Sequence, residues 1–157
     1  MKTLSDRDAT RVNFTPVLTT VSDLTSHATH CEAGPDQRVY DEEFQTYEVT
    51  GRLEIVRVED DRDYHVVLSD LVDRSITMIT EVVEPACEGA VSSPFVSMLK
   101  EARTAFLNLF AGSMASSLVG RVFRVRGVGF YDFNHGQIGR ARNCIELHPV
   151  IRIQPTP

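Results

Sequence analysis

From Phe44 onward the chain alternates. Tyr47, Val49, Gly51, Leu53 and Ile55 are apolar or small, and Glu48, Thr50, Arg52 and Glu54 between them are polar. A period of two marks a strand with one face in a core. Gly51 in its middle predicts a bulge or sharp bend. The acidic run Glu59-Asp60-Asp61-Arg62-Asp63 reads as a hairpin tip. Tyr64, Val66 and Leu68 then mark a second strand, with His65 and Val67 on its other face. Residues 70–74 turn the chain again, and Ile76, Met78 and Thr80 against Thr77, Ile79 and Glu81 give a third strand.

The period then changes. Ser93 is a good N-cap, and Pro94 suits the first helical position, where a missing N–H costs nothing. Phe95, Leu99, Ala102, Phe106 and Leu109 recur at steps of four and three, which puts them on one helix face. Gly112 is placed to close that helix. Residues 119–130 and 145–153 return to strand patterns. Gly127 and Gly129 interrupt the first, and Pro149 in the second belongs on an edge or at a bulge. Three strands, a helix and two strands is the order of the OB barrel. The expected fold is therefore mostly β (α+β), a five-stranded OB-like barrel with one helix between strands 3 and 4. An α+β sandwich with the helix on an open sheet is the runner-up. Residues 1–40 lack sustained periodicity and predict an irregular N-terminal arm, and 41–157 make the barrel domain. Within the arm, 17–24 is the one ordered piece, a short helix or strand, and Gly34-Pro35-Asp36 is its closing turn.

At 157 residues the chain suits one domain with its own core. Its net charge of −6 argues against non-specific nucleic-acid binding, which needs an excess of Lys and Arg against phosphate. No apolar run approaches the roughly 18 residues of a membrane span, and the opening residues show no secretory h-region. A soluble chain is expected, with the cytoplasm slightly ahead of export. Cys31, Cys87 and Cys144 lack the close spacing of a zinc site. Free or half-buried thiols are favoured over one long-range disulfide.

An OB barrel binds ligands near the loops joining strands 1–2 and 4–5. Here these are 59–63 and 131–143, and the topology would bring them to one rim. Candidate ligand-binding residues there are Asp63, His65, Asp132, His135, Gln137, Arg140 and Arg142. Asn134-His135-Gly136-Gln137 has little packing reason to exist in a loop, and loops of this kind carry function. The bland readings are a solvated acidic tip and structural histidines at 65 and 148. Phe130 and Phe133 are expected to fold inward as anchors of the loop, ahead of the reading in which they and Tyr131 are stacking platforms for bases. The arginines are expected to pair with the acidic tip.

His65, His135, Glu146 and His148, with Glu81, Asp63 or Asp132, also offer imidazole and carboxylate for a divalent metal. Their spacing follows no established metal motif. Nucleophilic catalysis is poorly supported: Ser93 is explained by capping, and Cys144 and His148 lie about 13 Å apart along one strand.

Four stretches carry a resemblance: Asp63-Tyr64-His65-Val66-Val67-Leu68, Glu84-Pro85-Ala86-Cys87, the run from Gly127 through Gln137, and Ile145-Glu146-Leu147-His148-Pro149-Val150. Together they resemble a group of bacterial proteins with no established activity. The resemblance implies that Asp63, His65, Asp132, His135, Gln137, Glu146 and His148 belong to one pattern, but supplies no reaction. The primary expectation is a non-enzymatic OB-like binding module, without cofactor, for a small ligand or protein partner. The alternative is a metal-dependent hydrolase, with phosphodiesters or nucleic acid as its candidate substrates (a phosphodiesterase or nuclease), using the His/acid cluster with Glu146 or Glu81 as base.

Overall fold

The computed structural model describes residues 1–32, 34, 36–110 and 117–156. Pro35 of the expected closing turn and Gly112, the expected helix stop, lie outside them. The alternating segment is β2 (Gln45–Val58). It is followed by β3 (Tyr64–Ser69) and β4 (Thr77–Val82) in an antiparallel meander. The helical segment is α3 (Val96–Phe110), preceded by the short α2 (Glu88–Val91). The last two strands are β5 (Val122–Tyr131) and β6 (Ile145–Pro155).

β6 pairs parallel with β4 and antiparallel with β5, and β5 returns to β2. The circuit β2-β3-β4-β6-β5-β2 is closed, a five-stranded mixed barrel with the helices between its third and fourth strands. Closure removes the free edges that an open sheet would leave. Val49, Leu53, Val66, Leu68, Met78, Val125, Ile145 and Leu147 point inward as one core. From α3, Phe106 joins that core. Leu99 packs instead with Val83 and Ala90. The helix starts two positions later than Pro94, so Ser93 is not its N-cap; the Ser93 hydroxyl instead accepts from the Phe95 N–H at 3.1 Å in the turn that leads into it.

Two glycine expectations resolve differently. The register of β2 against β5 is regular through Gly51, and the irregularity against β3 falls between Leu53 and Ile55. Gly51 is needed for close approach instead: a Cβ there would lie 3.0 Å from the Ser69 carbonyl oxygen. On β6 the bulge does fall at Pro149, since Gly127 pairs with Val150 and Gly129 with Leu147.

The first 40 residues hold more structure than a polar arm suggests. β1 (Asn13–Thr20) pairs parallel with the first half of β2, and α1 (Val21–Leu24) follows directly. Leu4, Ala9 and Val12 pack on the outside of the barrel against Val128. Asp70 helps hold the arm. Its carboxylate accepts from the Val72 N–H at 2.9 Å, the Asp73 N–H at 3.3 Å and, across the molecule, the Ser22 N–H at 3.1 Å. Burial pushes its pKa up, but these three backbone donors outweigh that and leave it lowered. A depressed folded pKa gives stability that is present above the ordinary aspartate value of about 4 and lost as pH falls through the lower folded value. Asp70→Ala is expected to cost about 2 kcal/mol at pH 7. In urea titrations, that cost should shrink below pH 4.

Candidate functional site

Strand register builds the site. Inward positions of β3, β4 and β6 fill the core, so Val67, Ile79 and their odd-numbered neighbours His65 and Glu81 point outward, as do Glu146 and His148 on β6. His65 lies opposite Arg57 on β2 and Glu81 on β4, and Glu146 lies opposite Phe130 on β5. An outward polar row is ordinarily a solvated face. Here it is covered: Asp63, His65, Asp132, Glu146 and His148 are all buried.

The cover is the β5–β6 loop together with the amino terminus. Gly139, at φ +81°, sits so tightly on Val67 that a side chain there would collide with it. Ile138 next to it presents its carbonyl to His65 Nε2 at 2.9 Å. Gln137 folds the loop on itself, accepting from the His135 N–H at 3.0 Å and donating to the Phe133 carbonyl at 2.9 Å. Lys2 reaches over from the chain start, with Nζ 3.2 Å from Asp132 Oδ2. Asp132 also meets His135 Nε2 and Gln137 Nε2, each at 3.4 Å. On the opposite lip, Arg103 of α3 fixes the acidic tip by donating to the Arg62 carbonyl at 2.9 Å and the Val82 carbonyl at 2.8 Å.

Between these two lips lies a cleft of about 420 Å³. Its wall carries Glu59, Asp60 and Asp61 from the tip, His65, Glu81 and Glu146 from the strands, and Asp132, His135 and Gln137 from the loop. Lys2 and Arg57 also face it. Six carboxyl groups thus meet two permanent cations, and the cleft is electronegative.

The tautomer of His65 follows from its partners. The Ile138 carbonyl can only accept, so Nε2 carries a proton. Nδ1, 2.9 Å from Glu81 Oε1, can then donate only if the ring is charged. Burial lowers the His65 pKa, but the Glu81 and Ile138 bonds outweigh it and the net shift is upward. For Glu81, burial raises the pKa and the two imidazoles pull it below the usual carboxylate range. His148 is only 1% exposed. Its Nε2 stands 3.6 Å from Asp63 Oδ2 and its Nδ1 3.9 Å from Glu146 Oε2, distances of ion pairs rather than hydrogen bonds. Burial works against its charge, yet the surrounding carboxylates raise its pKa to about 9. Glu146 is pushed upward, chiefly by burial.

The structure therefore gathers Asp63, His65, Glu81, Asp132, His135, Gln137, Glu146 and His148. It does not bring Arg140 and Arg142 with them. Those two line a separate cleft of about 350 Å³ beside Ser22, Asp73 and Ser75. Nor does Arg140 pair with the acidic tip: it donates to the Ala141 carbonyl at 2.9 Å and Cys144 Sγ at 2.8 Å, while Arg57 is the residue bound to Glu59, at 2.7 Å. The loop passes back over β3 before reaching them, which carries both arginines beyond the rim. Phe130 is buried, but Phe133 is 47% exposed and does not anchor the loop. Lys2 escaped sequence reasoning because a lone lysine in a polar terminus has no local signal. The favoured free-thiol reading is also corrected, since Cys31 and Cys144 form a disulfide and only Cys87 is free.

Fold and site together define a class: a closed OB-type β-barrel with a buried polar network opening into a rim cleft. No family model matches the chain, and no curated protein matches it in sequence. Among solved structures, it is similar to a Leishmania major protein assigned as an aspartyl-tRNA synthetase, at 14% identity and TM-score 0.48 over 92% of this chain and 21% of that one. It is also similar to OBody AM3L09, solved bound to hen egg-white lysozyme, at 12% identity and TM-score 0.43 over 71% of this chain and 80% of that one. A third likeness, at 9% identity and TM-score 0.32 over 89% of this chain and 32% of that one, is to apo TiaS, a tRNAIle2 agmatidine synthetase. The chain thus spans about a fifth of the first of these proteins.

Proposed function

We propose that the chain is a binding module whose working surface is the cleft between the acidic tip and the loop 131–137, and that it takes a small cationic ligand. One observation carries this: side chains from β2, β3, β4, β6, two loops and the amino terminus converge on one cleft in which carboxylates predominate. A buried polar row is costly to assemble on a barrel that could have turned an apolar or solvated face outward. Asp132 is its centre, since Lys2, His135 and Gln137 all contact it. A cationic ligand would displace Lys2 and take over the bond to Asp132. Phosphate-rich partners are disfavoured by the same charge. The Cys31–Cys144 bond supports an oxidising compartment as its place of work, rather than the cytoplasm. Among the described residues no helix is long and apolar enough to cross a membrane.

The test is a thermal-shift and calorimetric screen of amines, amino acids and polyamines against the full chain. A ligand is expected to raise the melting temperature by mass action. Asp132→Asn is expected to weaken its binding at least tenfold, by removing a charge-assisted bond worth about 1.5–3 kcal/mol. Binding that is indifferent to Asp132→Asn but lost on changing Arg140 or Arg142 would move the site to the other cleft.

A further inference from the structure

His148 poses a problem that the cleft reading does not solve. Neither ring nitrogen has a hydrogen bond, and both are fully buried. Orphaned buried polar atoms cost free energy and call for a physical reason. Around this ring, Asp63, Glu81 and His148 each offer one donor atom, and the three atoms lie within 4.8 Å of one another. Two ligands about 2.1 Å from a common ion are roughly 3.0–3.5 Å apart at tetrahedral or octahedral angles and at most about 4.2 Å apart. The 3.6 Å between His148 Nε2 and Asp63 Oδ2 is thus too long for a hydrogen bond and close to the spacing of two donors around one cation.

We propose that Asp63, Glu81 and His148 bind one divalent first-row cation behind the wall of the cleft, reached through Glu81. One imidazole and two carboxylates form a borderline donor set that suits Mn²⁺ or Zn²⁺. The surrounding groups are arranged as ligand-orienting groups are. His148 Nδ1 faces Glu146, the arrangement in which a carboxylate fixes the ring of a metal-bound histidine. His65 holds Glu81 Oε1, and the Glu84 N–H donates to Asp63 Oδ1 at 2.6 Å, leaving Oδ2 toward His148. Glu81 also lines the cleft, which gives the ion a way in. His135, a sequence-level metal candidate, is not one of the ligands: it stands with Asp132 in the loop. This site stands apart from the cationic-ligand reading, because two of its three ligands are not in the cleft wall.

The experiment uses the untagged full chain, freed of metal by chelation and dialysis. MnCl₂ and ZnCl₂ are titrated calorimetrically, and bound Mn²⁺ is followed by electron paramagnetic resonance. Saturable uptake of one ion per chain is expected. Glu81→Gln and Asp63→Asn should each weaken it at least tenfold, and His135→Ala should leave it within twofold. Glu81→Gln keeps the shape of a partly exposed side chain, so it tests the site even if His148 variants fail to fold. Folding of each variant is checked by circular dichroism. No stoichiometric uptake of either ion by the wild type, or uptake unchanged in both carboxamide variants, would overturn the proposal. Loss of the ion without loss of amine binding in Asp63→Asn, whose side chain does not line the cleft, separates this site from the cleft.

Discussion

Replacing Cys31 and Cys144 together by serine is expected to lower the unfolding free energy by about 3–5 kcal/mol. The bond joins residues 113 apart in sequence. A cross-link closing a loop of about 100 residues restricts the unfolded chain by roughly 4.7 kcal/mol in the chain-entropy treatment, and measured values tend to fall below that. The loss should appear as a lower urea midpoint, and reducing the wild type should reproduce it. Cys87→Ser should leave the midpoint in place, because that thiol is free. The bond also matters to the cleft. Cys31 lies on the arm and Cys144 at the foot of the β5–β6 loop, and the Asn134 N–H donates to the Cys31 carbonyl at 3.1 Å. Equal midpoints for oxidised and reduced protein would show that this tether contributes nothing.

Arg38→Ala is expected to cost nearly as much, about 3–5 kcal/mol. The guanidinium is buried and meets Asp6 through two bonds, Nε to Oδ1 at 3.1 Å and Nη2 to Oδ2 at 3.0 Å. It also donates to the Glu43 carbonyl. Removing it would leave the Asp6 charge buried without its partner, and that uncompensated charge is the source of the penalty. A double variant, Arg38→Met with Asp6→Leu, should recover much of the loss, since a buried ion pair adds little net stability over apolar groups of similar volume. The single change should also weaken binding in the cleft. Arg38 pins the segment that carries Lys2 to Asp132, so freeing it should release Lys2. Denaturant titration of both single variants and the double variant gives the coupling energy directly. Additive losses would mean that the two residues do not act as a pair.

Particular residues show why some of this was legible in the sequence. The alternation from Tyr47 to Ile55, the four-and-three spacing from Phe95 to Leu109 and the Pro149 signal are local, so each could be read without knowing its neighbours. β1 was less legible. Asn13–Thr20 has no clean alternation, because it lies against an edge of β2 with much of its surface exposed. The acidic tip and the histidine loop could be placed at one rim only through the barrel topology. Within that loop, His135 and Gln137 reach the cleft and Arg140 does not, since Gly139 turns the chain down onto Val67.

By itself the sequence determined the order and type of the barrel elements, because period, capping and turn chemistry act between near neighbours. Tertiary structure decided three things that involve distant residues. It brought Cys31 to Cys144 and laid Lys2 beside Asp132. It also set His148 among Asp63, Glu81 and Glu146 with its nitrogens unsatisfied. A strand pattern states which way a side chain points, but not what closes over it. Only the packed arm and loop turned an outward polar row into a buried one, and burial is what gives those charges their chemistry.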